Sequence, residues 1–306
     1  DSTGFGYRAL YNVNAGDKNS AFGSSALYST VAGENNDAFG YRSLYATTGS
    51  NNSGFGMRSL CSNTSGNCNV AVGRDALFAN TTASYNTAVG MLAMCTNTTG
   101  GINTALGVGA LQENTTANYN TAIGANTMGL NTTGTKNTAL GTQAMYCNTT
   151  ASCQTAVGAY ALRNSSTGDR NQAFGTCSLY TNTTGNFNTA SGYLALGLNT
   201  TGCDNTAVGF CTLHANTTGN ANTAVGRRAL ALNTTGQKNS ALGFCALNKT
   251  TTGTDNTAVG YGTLEDNTTG TCNTAIGVCA LHENTTGLYN TSVGYRSLRL
   301  NTTGNC

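Results

Sequence analysis

The chain has 306 residues, and 14 Lys and Arg face 12 Asp and Glu for a net charge of +2. That balance excludes recruitment of nucleic acid or an anionic membrane by bulk electrostatics, and no apolar run is long enough to cross a bilayer. Charged residues make up only 8%, 40 residues are glycine, and proline and tryptophan are absent, far from the make-up of an ordinary globular domain.

One phrase runs from end to end. "NTAVGFCTLHANTTG" (Asn205 to Gly219) returns as "NTAVGRRALALNTTG" (Asn222 to Gly236) and as "NTAIGVCALHENTTG" (Asn273 to Gly287). The glycine closing "NTAVG" serves as a marker. It recurs 18 times from Gly6 to Gly294, every 17 residues except for the step from Gly40 to Gly56, where Leu44 to Gly49 has lost one residue. A fixed period of this length is the signature of a stacked repeat. Seventeen residues cannot hold two helices, and Thr, Val, Ile and Phe around the marker favour strands. The expected fold is all-β, a parallel β-solenoid (β-roll) of about 18 rungs of 17 residues. The array fills residues 1–306 as a single continuous domain. Stacked at strand spacing it makes a rod roughly 85 Å long. The chain opens and closes inside a phrase, so a longer fibre is expected to continue it.

Within a rung, taken in order, the first element is a strand through "NTAVG". The residue before the marker is almost always large and apolar (Phe5, Val89, Ile123, Val225), and the residue four after it is Leu or Met (Leu10, Met94, Leu230). Both columns are expected inside. Small residues two before and three after the marker, such as Ala224 and Ala229, imply a face packed against another backbone, that of a neighbouring chain being the favoured one. A second strand is expected through "xxALxx". The "NTTG" turn follows, its glycine suited to a positive φ. The asparagine four before the marker is expected to form a rung-to-rung amide ladder. Asn86, Asn120, Asn205, Asn222 and Asn290 belong to it, and only Ser2 and Gln154 interrupt it.

Cysteines fall into two sets. Cys61 with Cys68, and Cys147 with Cys153, each flank the turn of one rung. They are candidates for disulfides, against buried or free thiols acting as small hydrophobes. Cys177, Cys211, Cys245 and Cys279 share the column two after the marker in alternate rungs. Two rungs is roughly 9.6 Å, beyond the ~7 Å that a disulfide tolerates between Cα atoms. These four are expected to be free or to link to a neighbouring chain.

The "NTT" turn is also an N-glycosylation sequon. Asn80, Asn97, Asn114, Asn131, Asn148, Asn182, Asn199, Asn216, Asn233, Asn267, Asn284 and Asn301 all sit seven after the marker. They are glycosylation candidates if this column is exposed. Equally, an asparagine before a tight turn caps its own backbone.

Catalytic and metal chemistry is not expected, and no cofactor is implied. His214 and His282 share one column four rungs apart, roughly 19 Å and too far for one metal ion. Glu283 and Asp266 beside them read as solvated surface. Arg8, Arg42, Arg58, Arg228 and Arg296 share an outward column and read as solubilising charge.

The repeat, in residues such as Asn205-Thr206-Ala207-Val208-Gly209 and Asn216-Thr217-Thr218-Gly219, resembles the "NTAIGxxALxxNTTG" repeats of viral and bacteriophage tail-fibre and surface-fibre proteins. It resembles more loosely the head of trimeric autotransporter adhesins, whose shorter repeat winds as a β-roll. The resemblance implies a stiff structural rod on a virion or outside a cell, with copies of itself as partners. An adhesin or glycan-binding shaft is the alternative. Tyr7, Tyr41, Tyr261 and Tyr295 just after the marker, and Tyr11, Tyr28, Tyr45, Tyr146 and Tyr180 five after it, would then meet cell-surface glycans. A second alternative is an ice-binding solenoid, with Thr87, Thr104, Thr121, Thr138 and Thr206 in one column three before the marker.

Overall fold

A computed structural model of the chain describes residues 1–305. Every regular element among them is a β-strand. The chain forms two compact units, the first spanning Asp1–Cys153 and the second starting at Gln154. Each contains nine three-residue strands, one per coil, that end just before the marker glycine. Within each unit these strands pair in parallel and in exact repeat register. Thr104, Ala105 and Leu106 stand on Thr87, Ala88 and Val89 in the first, and Thr223, Ala224 and Val225 stand on Thr206, Ala207 and Val208 in the second. The fold is a parallel β-solenoid.

The backbone bonds its neighbours well beyond the strands. In the coil around Gly90, Thr87 N–H donates to Asn103 O of the next coil (2.9 Å), and Gly90 N–H donates back to Val72 O (2.8 Å). Leu92 N–H turns back to Arg74 O (3.0 Å), Met94 N–H forward to Ala110 O (3.0 Å), Thr96 N–H to Gln112 O (3.1 Å) and Thr98 N–H to Thr115 O (2.9 Å). Most N–H groups are spent on an adjacent coil and others, such as Ala93 and Asn97, close turns within the coil, bonds for which proline lacks the donor.

The expected second strand is present only near the start of the chain. Asn12–Val13, Ser29–Thr30 and Ala46–Thr47 form a short parallel sheet of their own. From Asn63 onward the same segment is a run of tight turns, closed by bonds such as Asn63 N–H to Leu60 O (3.1 Å). The residues two and four after the marker carry positive φ, as at Leu92 (60°) and Met94 (48°).

That conformation explains the most selective column in the sequence. From Leu27 to Leu281 the residue four after the marker is fully buried, as at Leu77, Met94, Leu162 and Leu213, and throughout the column it takes φ of 43–52°, as at Leu27 (43°) and Leu213 (49°). A β-branched side chain is a steric outlier there. Leu and Met, branched later or not at all, fill the core without that clash, so Val and Ile never occupy it.

The other half of the expected interior is reversed. The residue before the marker points outward: Leu106 is 47% exposed and Leu242 50%. The small columns are the true interior, with Ala88, Ala93, Ala224 and Ala229 at 0% exposure. The backbone they approach is the opposite wall of their own coil. A Cβ added at Gly54, in the strand-alanine column, would lie 2.6 Å from Ser43 Oγ and 3.0 Å from Ser59 Oγ. The core is one small side chain deep, and no large residue fits on the strand side. Because strand side chains alternate, burying that alanine forces its large neighbour to the surface.

A substitution in the leucine column separates packing from backbone strain. Leu213→Met is expected to cost under about 1.5 kcal/mol. Leu213→Val, smaller by only one methylene, is expected to cost about 2–4 kcal/mol, because cavity and backbone strain add. Denaturant unfolding of the two variants checks the difference.

Candidate functional site

Two features could carry function: the polar columns inside the coil and the side-chain columns outside it. The ladder asparagines run up the inside in each unit. Asn103 N–H donates to Asn86 Oδ1 (3.0 Å) and Asn103 Nδ2 to the same oxygen (3.2 Å). Asn222 repeats both bonds onto Asn205 (3.0 and 3.2 Å), Asn120 N–H donates to Asn103 Oδ1 (2.9 Å), and Asn290 N–H to Asn273 Oδ1 (3.0 Å). The N–H just before each strand, which lacks a backbone acceptor, is thus satisfied by a side chain from the coil before.

The sequon asparagines are a second internal ladder, not an exposed row. Asn80, Asn97, Asn114, Asn131, Asn148, Asn182, Asn199, Asn216, Asn233, Asn267 and Asn284 are all fully buried; Asn301, in the last coil, is half-buried. The atom that a glycan would occupy is already in use: Asn97 Nδ2 donates to Asn80 Oδ1 (3.0 Å) and to Gly100 O (2.9 Å). The glycosylation reading of the buried positions is corrected on this point. The sequon arises because a buried turn asparagine is followed by two threonines. The first threonine also has a bonding role, as when Thr98 Oγ1 donates to Thr115 O (3.0 Å).

The two ladders interlock. The carbonyl of the turn residue accepts from both columns at once. Gly100 O takes Asn86 Nδ2 and Asn97 Nδ2, each at 2.9 Å, and Gly219 O takes Asn205 Nδ2 (2.8 Å) and Asn216 Nδ2 (3.0 Å). The turn glycine does not have positive φ, which corrects the expectation from turn chemistry. Space favours glycine, since a Cβ at Gly100 would stand 2.3 Å from Ala117 O and 2.7 Å from Asn97 Oδ1, and the only side chain the column admits is the methyl group of Ala83, Ala117 and Ala151.

Exceptions in one column are answered in the other. Where Gln154 replaces a ladder asparagine, the turn position of that coil is Ser165, and Ser165 Oγ donates to Gln154 Oε1 (3.2 Å). The longer amide fills the space that the shorter side chain leaves. At Thr250 no such exchange occurs. Asn267 Nδ2 still donates to Thr250 Oγ1 (3.2 Å), but on the other side Asn233 Oδ1 is buried without a partner.

The cysteines form no disulfide among the described residues, which corrects the expectation for Cys61 with Cys68 and for Cys147 with Cys153. Between Cys61 and Cys68 the chain wraps a wedge of buried amides, with Asn52 Nδ2 (2.9 Å) and Asn63 Nδ2 (3.0 Å) both on Gly66 O. It does not pinch into a hairpin. Burial pushes the Cys61, Cys95, Cys177 and Cys211 thiols up from their ordinary range. Cys177, Cys211, Cys245 and Cys279 all sit at the positive-φ position two after the marker (50–56°); Cys245 is buried and the other three are half-buried.

Outside, the arginine column is not uniform solubilising charge. Arg58 clasps Asp75 of the next coil through Nε (2.7 Å) and a terminal nitrogen (2.8 Å), Arg74 adds a third contact (3.1 Å), and the Asp75 side chain is only 4% exposed. Arg8 stacks over Tyr7 and Tyr11, and Arg42 over Tyr41 and Tyr45. His282 Nε2 meets Glu265 at 3.3 Å, a partner that sequence reading passed over, while Asp266 pairs with Lys249 at 2.7 Å. A half-open cavity of about 290 Å³ is lined by Cys211, His214, Arg228, Ala231, Leu232 and Asn248, with the short Ala231 standing between His214 and Asn248 in their column. No described group of three His, Cys, Asp or Glu could hold a metal ion.

Both sides of the marker glycine carry exposed apolar residues. Val208 and Phe210 flank Gly209, and Leu242 and Phe244 flank Gly243, at 36–50% exposure. In the first unit Phe22, Phe39 and Phe55 stack with ring centroids 4.8 and 4.9 Å apart. The threonine three before the marker also faces out at Thr87, Thr104 and Thr138, but its outward neighbour along the strand is this apolar residue, not a second threonine.

Restoring the missing amide tests the interlock. Thr250→Asn is expected to give Asn233 Oδ1 its donor and stabilise the second unit by about 1–2 kcal/mol. The gain should appear as a higher urea midpoint and slower amide exchange around Asn233. No known family model matches the chain, and no curated protein matches it in sequence.

Proposed function

We propose that the chain is a structural element: a stiff repetitive shaft of an extracellular or virion-surface fibre, with copies of itself as partners. The observation that carries this is the continuity of the coil-to-coil bonding. Within each unit, backbone bonds and two interlocked amide columns tie coil to coil. Stability in such an array is a sum over neighbours, so stiffness follows from repetition. The resemblance to tail-fibre repeats supports the same reading. Electron micrographs of the isolated chain are expected to show straight, unbranched rods of constant width. Globular or sharply bent particles would rule the shaft out.

A second reading, glycan binding, is favoured by one feature of the first unit. Arg8 lies 5.1 Å from the Tyr7 ring centroid and 5.6 Å from that of Tyr11, and Arg42 lies 5.3 and 5.4 Å from those of Tyr41 and Tyr45. Ser24 and Ser25 occupy the coil between them. Two aromatic–guanidinium clamps separated by small residues suit a sugar ring bearing an acidic group. On a glycan array the chain is expected to retain acidic glycans and to lose them in the Arg8→Ala, Arg42→Ala variant. Silence on the array removes this reading.

A further inference from the structure

We infer that the apolar stripe on either side of the marker glycine is a docking surface for a second copy of this chain, lying alongside the first. The inference starts from the reversal described above. The large residues of the strand are outside, and they are not scattered. In the second unit, eleven large apolar side chains in these two columns are at least 36% exposed. Val208, Phe210, Leu242, Phe244, Tyr261 and Ile276 lie along its middle. Phe244 and Tyr261 already stack across one coil step, with centroids 5.1 Å apart. A contiguous apolar surface of this kind on a soluble protein marks an interface.

Three arguments select a second copy as the occupant. The first is spacing. Coil-to-coil hydrogen bonds fix one step for every column, about 4.8 Å, and only a partner with the same step can seat side chain against side chain over many coils. Another copy of this chain has that step by construction of its sequence. The second is charge. Among the eighteen positions of the two columns in this unit, Arg227 alone is charged, so two copies facing each other bring few like charges together. The third is area. At roughly 80 Å² for each half-exposed large side chain, the stripe offers on the order of 800–900 Å², close to the roughly 800 Å² per partner of a standard stable interface. Between the two columns runs the column of marker glycines, which carries no side chains to hold a partner off.

The geometry also supplies a safe variant. Ser191 occupies the strand-end column naturally, paired in register with Phe174 and Val208 on either side. Val208→Ser, Leu242→Ser and Ile276→Ser together therefore remove apolar stripe without touching the interior. The test is light scattering after size-exclusion chromatography of the whole chain over the micromolar range, with circular dichroism and a thermal midpoint on both proteins to show that the coil is intact. The native chain is expected to run as an oligomer, and the triple serine variant to dissociate at concentrations roughly tenfold higher or more, a change of at least about 1.4 kcal/mol. Should the triple variant lose its fold, Phe244→Ser alone, outside the strand, replaces it. A native chain that stays monomeric, or an oligomer whose dissociation the serines leave unchanged, overturns the inference. The inference rests on the shaft reading only for its biological sense. A straight rod that stays monomeric would leave the shaft standing and remove the docking surface.

Discussion

The structure depends on a single shared acceptor. In each full coil of the regular pattern, the carbonyl of the turn residue accepts one amide from the ladder asparagine and one from the turn asparagine, as Gly236 O does from Asn222 (2.8 Å) and Asn233 (3.0 Å). A buried polar atom without a partner costs about 1–3 kcal/mol. In those coils one carbonyl keeps both columns satisfied, and where Thr250 replaces the turn asparagine, Gly253 O keeps the ladder amide of Asn239 (2.8 Å) while Asn233 Oδ1 loses its donor. The shared acceptor links the beginning of the coil to its end and each coil to the next. It also explains why so thin a core suffices, since alanine and one leucine per coil could not by themselves offset the entropy of ordering the backbone.

The same constraint decides which side chains face out. With the ladder asparagine committed to the interior, strand alternation puts alanine inside and its two neighbours outside. The interior then has no room for Phe, Val or Ile on the strand side. Those residues become the surface, and a face that would be the core of a wider solenoid is left for something else to cover. The large apolar residue of the repeat thus belongs to association and the small one to folding, the reverse of the usual assignment.

Positive φ is the second device. Two positions between marker and turn adopt it in each coil, and a third precedes the ladder asparagine, as at Cys68 (57°) and Tyr85 (63°). Left-handed residues cost about 1–2 kcal/mol each outside glycine. They are held because the N–H groups around them find carbonyls on adjacent coils, as Tyr85 N–H finds Asn67 O (3.0 Å). The segment read from sequence as a second strand keeps a strand's hydrogen bonding to its neighbours while abandoning a strand's dihedrals. Only where Val13, Thr30 and Thr47 hold the turn position does it stay extended.

The sequence by itself determined the period, the parallel stacking, the all-β class and the amide ladder, because each of these repeats at a fixed spacing that a linear string displays. It also held the clue to the leucine column, where Leu and Met occur and Val and Ile do not. The sense of the coil was decided only by the tertiary structure. Asn80 and its column read as sequons or as buried caps, Cys61 and Cys68 as joined or apart, and Val225 reads as inside where the structure buries Ala224 instead. Each choice turns on what stands across the coil, and that neighbour is eleven or so residues away in sequence, on the other wall. A periodic string repeats which residues share a column. The direction in which a column points is set by the space between walls, and only folding creates that space.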